Sequence, residues 1–179
     1  MKKNILAIAL VFTTLLSCKN EQTQKSDENV TSNQPVVNDY FVVTMDLIAQ
    51  KDDSFHVYFI EDGSDKFTEE NSVWCEFKGS PNTQKLIFKM PEDTMPNVFR
   101  LDFGVNKEQG DVKVNNIEIT YRDKSLKIPG AEISKYFKAN DASTIIDLAT
   151  QTIKPIKPNI NTSLYPTEAL RPELEKLLK

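Results

Sequence analysis

Residues 98–121, VFRLDFGVNKEQGDVKVNNIEITY, decide the fold class. Apolar side chains occupy every second position from Phe99 to Phe103, with Arg100 and Asp102 between them. This period of two is typical of a β-strand that buries one face and leaves the other polar. The stretch therefore predicts a strand of a sheet that packs on its apolar side.

A second strand follows within the same stretch, and its phase changes once. Val112 and Val114 are in phase with each other, whereas the apolar positions from Ile117 to Tyr121 are shifted by one residue. One extra residue in a strand moves every later side chain to the opposite face of the sheet. The pattern therefore predicts a β-bulge at residues 115–116.

The same pattern of short strand-like segments extends over residues 39–153. All five glycines fall between predicted strands and none within one. Short strands separated by turns, without alternating long helices, predict an all-β protein with an antiparallel, jelly-roll-like β-sandwich. The other predicted strands cover residues 40–48, 54–60, 73–77, 86–90, 126–128 and 144–152.

Two segments depart from this pattern. Residues 131–138 carry apolar side chains at helical spacing and predict a short helix. Residues 154–179 contain four of the nine prolines and predict an extended, Pro-rich tail that ends in a short helix. The tail is expected to cap one end of the sandwich with an apolar stripe of Leu170, Leu174, Leu177 and Leu178.

Residues 1–17 have the features of a secretory signal. Two lysines precede an apolar run of 12 residues, Ile5 to Leu16. As a helix this run is about 18 Å long, too short for the roughly 30 Å hydrocarbon core of a bilayer. The sequence Leu-Leu-Ser-Cys that ends at Cys18 resembles the lipobox of bacterial lipoproteins. This resemblance implies cleavage before Cys18, diacylglycerol on its sulfur and acylation of the new amino group.

Residues 18–38 are rich in Asn, Gln, Ser and Thr and contain no aromatic residue, which predicts a flexible tether. The residue after the lipobox cysteine is Lys19. An Asp at this position would resemble an inner-membrane retention signal, so with Lys here an outer-membrane lipoprotein is expected. Residues 19–21 are similar to the charged export tags of Bacteroidota surface lipoproteins. Both a periplasmic and a surface-facing orientation remain open.

Composition excludes several classes of function. The chain carries 22 Lys and Arg against 26 Asp and Glu, a net charge of −4, and has no basic tract, so nucleic acid is not an expected partner. One histidine and two cysteines provide little material for a zinc site or a catalytic triad. No phosphate-binding loop, dinucleotide fingerprint or nucleophile elbow is present. We therefore expect a protein that is not an enzyme and needs no cofactor.

The segment from Val73 to Tyr121 carries a family resemblance. A strand ends at Gly79, the pattern Gln84-x-Leu86-x-Phe88-x-x-Pro91 follows, and the alternating strand at residues 99–103 ends at Gly104. This order resembles galactose-binding-like and carbohydrate-binding jelly-roll domains. The resemblance implies a non-catalytic module that binds envelope or environmental glycans. The alternative is a structural or accessory protein of an envelope complex that docks through its C-terminal tail.

The polar faces of the predicted strands supply the candidate binding residues. An aromatic ring beside hydrogen-bonding groups suits the apolar face and polar rim of a pyranose. Two alternatives compete: burial of the single tryptophan, which is its usual environment, and simple ion pairing of Arg100 with Asp102. The candidate glycan-binding residues are Trp74, Tyr58, His56, Glu76, Arg100 and Asp102.

Two further expectations concern single features. Asp62, Asp65 and Glu69 lie in an acidic loop that is interpreted as a solvated turn, and the alternative is a Ca²⁺ site, because carboxylate oxygens suit that ion. Cys75 shares the apolar face of its strand and is expected to be a buried, unreactive thiol.

Overall fold

The alternating stretches form two antiparallel sheets that pack face to face. The computed structural model describes residues 39–179, so the predicted signal peptide (1–17), the predicted lipidation site Cys18 and the predicted tether (18–38) lie outside the described residues. The described strands are β1 (Val42–Ile48), β2 (Asp53–Ile60), β3 (Ser72–Phe77), β4 (Gln84–Lys89), β5 (Val98–Phe103), β6 (Val112–Tyr121), β7 (Lys124–Pro129), β8 (Phe137–Ala139), β9 (Thr144–Asp147), β10 (Thr152–Pro155) and β11 (Thr162–Pro166).

One sheet has six strands and the other has five. The six-stranded sheet has the order β4-β1-β6-β10-β9, with β7 pairing beside β10 on the same edge of β6. The five-stranded sheet has the order β3-β2-β5-β11-β8. Every strand pair is antiparallel, which confirms the predicted antiparallel β-sandwich.

The core lies between the two sheets and follows the predicted alternation. Burial of aromatic and branched aliphatic side chains here removes apolar surface from water, the dominant favourable contribution to folding. The largest fully buried side chains are Phe41, Phe55, Phe88, Phe99, Phe137, Met45, Leu47, Leu86, Met90, Leu101, Ile117 and Ile119.

The predicted bulge is present in β6. Asp46 of β1 faces Asn116, but the next residue, Leu47, faces Val114. Asn115 therefore has no counterpart in β1, and this extra residue allows apolar side chains on both sides of it to face the core.

The predicted boundary at residue 153 is wrong, because β10 runs across it. In addition, β11 lies inside the five-stranded sheet, between β5 and β8. Residues 154–179 are therefore part of the sandwich and not an appended tail. The strand escaped prediction because Thr162, Ser163 and Leu164 are all buried, so no alternation of apolar and polar residues marks it.

The first predicted helix is shorter than expected. Residues 130–132 form a 3₁₀ turn, and helix α1 covers only Ile133–Tyr136. Phe137 and Lys138, which the pattern placed in the helix, belong to β8 and pair with β11. Pairing in the sheet thus overrides the helical spacing at these two positions.

The terminal helix α2 is Leu170–Leu178. Pro172 lies in its first turn, where the missing backbone N–H has no intrahelical partner to lose. Leu170, Leu174 and Leu177 are buried against the sandwich, whereas Leu178, predicted to share their stripe, is 41% exposed. Neither helix within residues 39–179 has the length and apolar character needed to cross a bilayer.

Candidate functional site

The outer face of the five-stranded sheet brings most of the candidate residues together. His56 of β2 lies opposite Trp74 of β3 on one side and Asp102 of β5 on the other. Tyr58, two residues along β2, lies opposite Arg100. Since side chains at alternate positions of a strand share a face, these five residues form one patch.

The indole of Trp74 stacks on the imidazole of His56. Their ring centroids are 3.5 Å apart and the rings are inclined by 25°. Trp74 is 47% exposed, whereas His56 is 3% exposed. The expectation that the tryptophan is buried is therefore wrong: one face of the indole covers His56, and much of the remaining ring is open to solvent.

His56 is a buried, neutral support for the indole. Its Nε2 makes no hydrogen bond to any residue of the described range 39–179 and lies 3.5 Å from Oε2 of Glu69. Burial lowers the pKa of His56, and the nearby carboxylates of Glu69 and Asp102 oppose this shift only in part. The sequence suggested that His56 contacts a ligand. Because Trp74 covers the imidazole, His56 is not available for such a contact.

Tyr58 is also buried, and it ties the loop that follows β2 to the sheet. Its hydroxyl donates a hydrogen bond to Oε1 of Glu69, which lies in the 3₁₀ turn at residues 69–71. Burial and, next, this hydrogen bond raise the pKa of Tyr58, so the phenol stays protonated. Glu69 thus holds residues 61–71 against the outer face, a role that sequence reasoning missed.

Arg100 and Asp102 bind each other along β5. The guanidinium donates two hydrogen bonds to the carboxylate, one of them from Nε to Oδ1 over 2.8 Å. The hydrogen bond to Asp102 raises the pKa of Arg100. The guanidinium also lies over the rings of Tyr58 and Tyr165, 4.3 Å and 5.3 Å from their centroids. The ion-pair interpretation is confirmed, and the pair positions aromatic rings instead of presenting free polar groups.

Two aromatic residues of this face were not identified from the sequence. Phe67 packs edge-on against Tyr165, with centroids 6.0 Å apart, and against Tyr58 at 6.3 Å. A single aromatic residue in the polar stretch 61–71 was the signal that this loop packs on the sheet. Tyr165 carried no such signal, because β11 itself was not predicted.

Glu76 shares the outer face of β3 with Trp74 but lies further along, opposite Ser54. It lines an open cavity of about 650 Å³ together with Asp52 and Lys78. Two charged groups of this cavity bind each other, since Nζ of Lys78 donates to Oδ2 of Asp52 over 2.7 Å. Glu76 is exposed and is the one candidate carboxylate that lies beside Trp74 on the same strand.

The carboxylates of the acidic loop make local hydrogen bonds. Asp62 accepts a hydrogen bond from the backbone N–H of Ser64 over 2.9 Å, as in an Asx turn, and Glu69 is directed to Tyr58. Within residues 39–179 no group of three acidic, histidine or cysteine side chains is placed to hold a metal ion. The loop carboxylates thus serve local structure.

Cys75 faces inward, as predicted, and packs against the core. It is only partly buried because β3 is the edge strand of its sheet. The expectation of complete burial is therefore wrong.

Comparisons of the chain with protein-family models, with curated proteins and with solved structures found no match. Function is therefore inferred from the outer face alone. That face offers an exposed indole on a rigid base, with the carboxylates of Glu69 and Glu76 on either side. Chemically, this arrangement supplies a stacking surface and hydrogen-bond acceptors.

Proposed function

We propose that the protein is a non-catalytic glycan-binding module of the outer membrane, held there by a lipid on Cys18. The observation that carries the proposal is the 47% exposure of Trp74, whose ring is fixed by the His56 imidazole beneath it. An exposed indole with no functional role leaves costly apolar surface in water, whereas a sugar face covers it.

The support beneath the indole is suited to binding. His56 is itself held between Trp74, Tyr58 and the Glu69 side chain, with the His56 and Tyr58 rings 4.1 Å apart. A ring that is already fixed loses little conformational entropy when a ligand stacks on it. The structure thus favours a preformed platform.

The polar neighbours of the indole match the rim of a pyranose. The Glu69 side chain is 68% exposed although one of its oxygens binds Tyr58, and Glu76 is exposed on the same strand as Trp74. Carboxylate oxygens accept hydrogen bonds from sugar hydroxyls. These two residues, rather than the buried His56 and the paired Arg100, are the proposed polar contacts.

Tryptophan fluorescence tests the platform directly, since Trp74 is the only tryptophan. The sample is the mature chain, residues 18–179, with Cys18→Ser to keep it free of lipid. Titration with a panel of neutral and acidic oligosaccharides is expected to shift the emission to the blue and to protect it from acrylamide.

Matched variants separate binding from folding. Trp74→Ala is expected to abolish binding measured by calorimetry, with little change in Tm. Ile87→Ala, which removes a 57% exposed side chain from the other sheet, should bind as wild type. The proposal is overturned if no glycan binds, or if Trp74→Ala binds as tightly as wild type.

The lipid anchor has its own test. Cys18→Ala should leave an uncleaved precursor, because the processing implied by the lipobox resemblance requires the modified cysteine. If Cys18→Ala matured and fractionated with membranes like wild type, the anchor would be wrong.

A second candidate function is docking to an envelope protein through residues 154–179. The observation that favours it is a set of exposed aliphatic side chains in β9, directly after β9 and directly after β10, and β9 pairs with the start of this segment through Ile145 and Lys154. Ile145, Leu148 and Ile156 are 49%, 43% and 44% exposed. Photo-crosslinking from position 156 in intact cells tests this function: a discrete crosslinked species that is lost in Ile145→Ser would support docking, and its absence would exclude it.

A further inference from the structure

A second cleft lies on the far side of the loop from Trp74. It has a volume of about 230 Å³ and is bounded by the loop at residues 64–67, by β8, by the end of β11 and by the residues that lead into α2. Phe67 and Tyr165 form an aromatic wall. Ile60 and Val98, both buried, contribute an apolar floor.

Four charged side chains line the same cleft: Lys138, Arg171, Asp65 and Glu168. None of the four side chains forms an ion pair or a hydrogen bond with another residue of the described chain, 39–179. The cleft thus contains unpaired donors and acceptors around an apolar surface, the usual composition of a small-molecule site.

The position of the two cations is set by the fold. Lys138 lies opposite Tyr165 in the pairing of β8 with β11, and Arg171 is the second residue of α2. Arg100, whose guanidinium lies over the Tyr165 ring, donates two hydrogen bonds to Asp102 and does not line the cleft. Lys138 and Arg171 are therefore the cations available to a ligand in this cleft.

We propose that this cleft binds a carboxylate-bearing sugar, that is, a uronic acid residue of a glycan. The inference rests on the proposed glycan-binding function and names its ligand class. The sugar carboxylate pairs with Lys138 and Arg171, the ring packs on the aromatic wall, and the hydroxyls donate to Asp65 and Glu168. A neutral sugar leaves both cations without a partner, and a simple organic acid leaves the aromatic wall uncovered.

The test compares ligands that differ only in charge. Oligogalacturonate and oligomannuronate are titrated by calorimetry against their methyl-esterified forms, with the mature chain carrying Cys18→Ser. We expect the free acids to bind about tenfold more tightly at low ionic strength, as charge-assisted hydrogen bonds imply. In the double variant Lys138→Gln/Arg171→Gln this advantage should disappear, while the affinity for the esters stays the same.

A control variant that removes the same number of charges shows whether the preference depends on this cleft. Lys107→Gln/Lys113→Gln removes two exposed lysines elsewhere and should retain the tenfold preference. If acids and esters bind wild type equally, or if the control variant loses the preference as well, the uronate site is wrong while glycan binding stands. If neither form of either glycan binds, the uronate site is wrong, and the proposed function is then decided by the oligosaccharide panel titrated against Trp74.

Discussion

The imidazole of His56 lies against the indole of Trp74 with ring centroids only 3.5 Å apart, and this contact links the buried and the exposed parts of the outer face. The two residues are direct partners in the pairing of β2 with β3. Because β3 is an edge strand, no further strand formed by residues 39–179 lies beside it on the side away from β2. The same geometry that exposes the indole therefore buries the histidine.

Removing the indole should raise the pKa of His56. Burial is the main cause of its lowered pKa, so the imidazole of Trp74→Ala should titrate closer to its ordinary value. The chain contains one histidine, so its ring resonances in an NMR titration are unambiguous. Ile87→Ala should leave the pKa unchanged, and an unchanged pKa in Trp74→Ala would show that the indole is not what desolvates His56.

The lowered pKa of His56 also predicts a pH dependence of stability. The ordinary pKa, 6.5, applies to the unfolded chain, so below that pH the unfolded chain binds more protons than the folded one. Stability should therefore fall as the pH decreases through 6.5 and be fully present above it. Urea denaturation between pH 5.5 and 8, above the range where carboxylates titrate, measures this slope. In His56→Gln the slope should flatten, and a slope equal to that of wild type would assign it to another group.

A second buried polar residue, Asp53, organises the connection from β5 to β6. Its carboxylate accepts hydrogen bonds from the backbone N–H groups of Ser54, Val105 and Asn106 and from the side-chain amide of Gln109. Asp53→Ala leaves these donors without an acceptor and should lower the free energy of unfolding by roughly 2–4 kcal/mol. Asp52→Ala, at the exposed neighbouring position, should cost much less in the same denaturation experiment. Equal losses would show that Asp53 has no special role.

Gly104 is required beside this carboxylate. Its φ is +93°, and a Cβ at this position would lie 2.1 Å from Oδ2 of Asp53. Gly110 has φ +69° but open space around it, so it serves as a control for the backbone conformation alone. We expect Gly110→Ala to cost about 1 kcal/mol and Gly104→Ala clearly more, measured by thermal unfolding. Similar losses at both positions would mean that Asp53 moves aside at little cost.

Much of the sandwich was predictable because β1, β5 and β6 bury mainly one face. The alternation at residues 99–103 and the phase change at Asn115 gave both the strands and the bulge. The pattern failed for β11, where three successive residues are buried, and for Phe137, whose helical spacing was overridden by pairing with β11. Alternation of apolar and polar residues identifies strands that have one buried and one exposed face. It does not identify a strand such as β11, in which successive residues are all buried.

The sequence predicted which residues lie together in the candidate site, but not what each of them does there. Alternation placed Trp74, His56 and Tyr58 on one face, and the structure brings them together. It cannot reveal that the loop at residues 61–71 folds back to cover Tyr58 through Glu69, since that contact depends on the path of the loop and not on local pattern. Nor can it reveal the cleft at Lys138 and Arg171, which depends on the unpredicted β11.

The position of β11 predicts that residues 154–179 are indispensable for folding. A chain that ends at Ile153 loses the strand between β5 and β8, and it uncovers the core that Leu164 and Leu174 fill. Unpaired backbone groups along β5 and several exposed apolar side chains together exceed the stability of an ordinary domain of this size. The truncated chain should therefore show no cooperative thermal transition by far-UV circular dichroism, whereas a chain lacking residues 18–38 should unfold like the mature protein. A cooperative transition and a wild-type spectrum in the chain that ends at Ile153 would contradict this, because the five-stranded sheet would then form without its fourth strand.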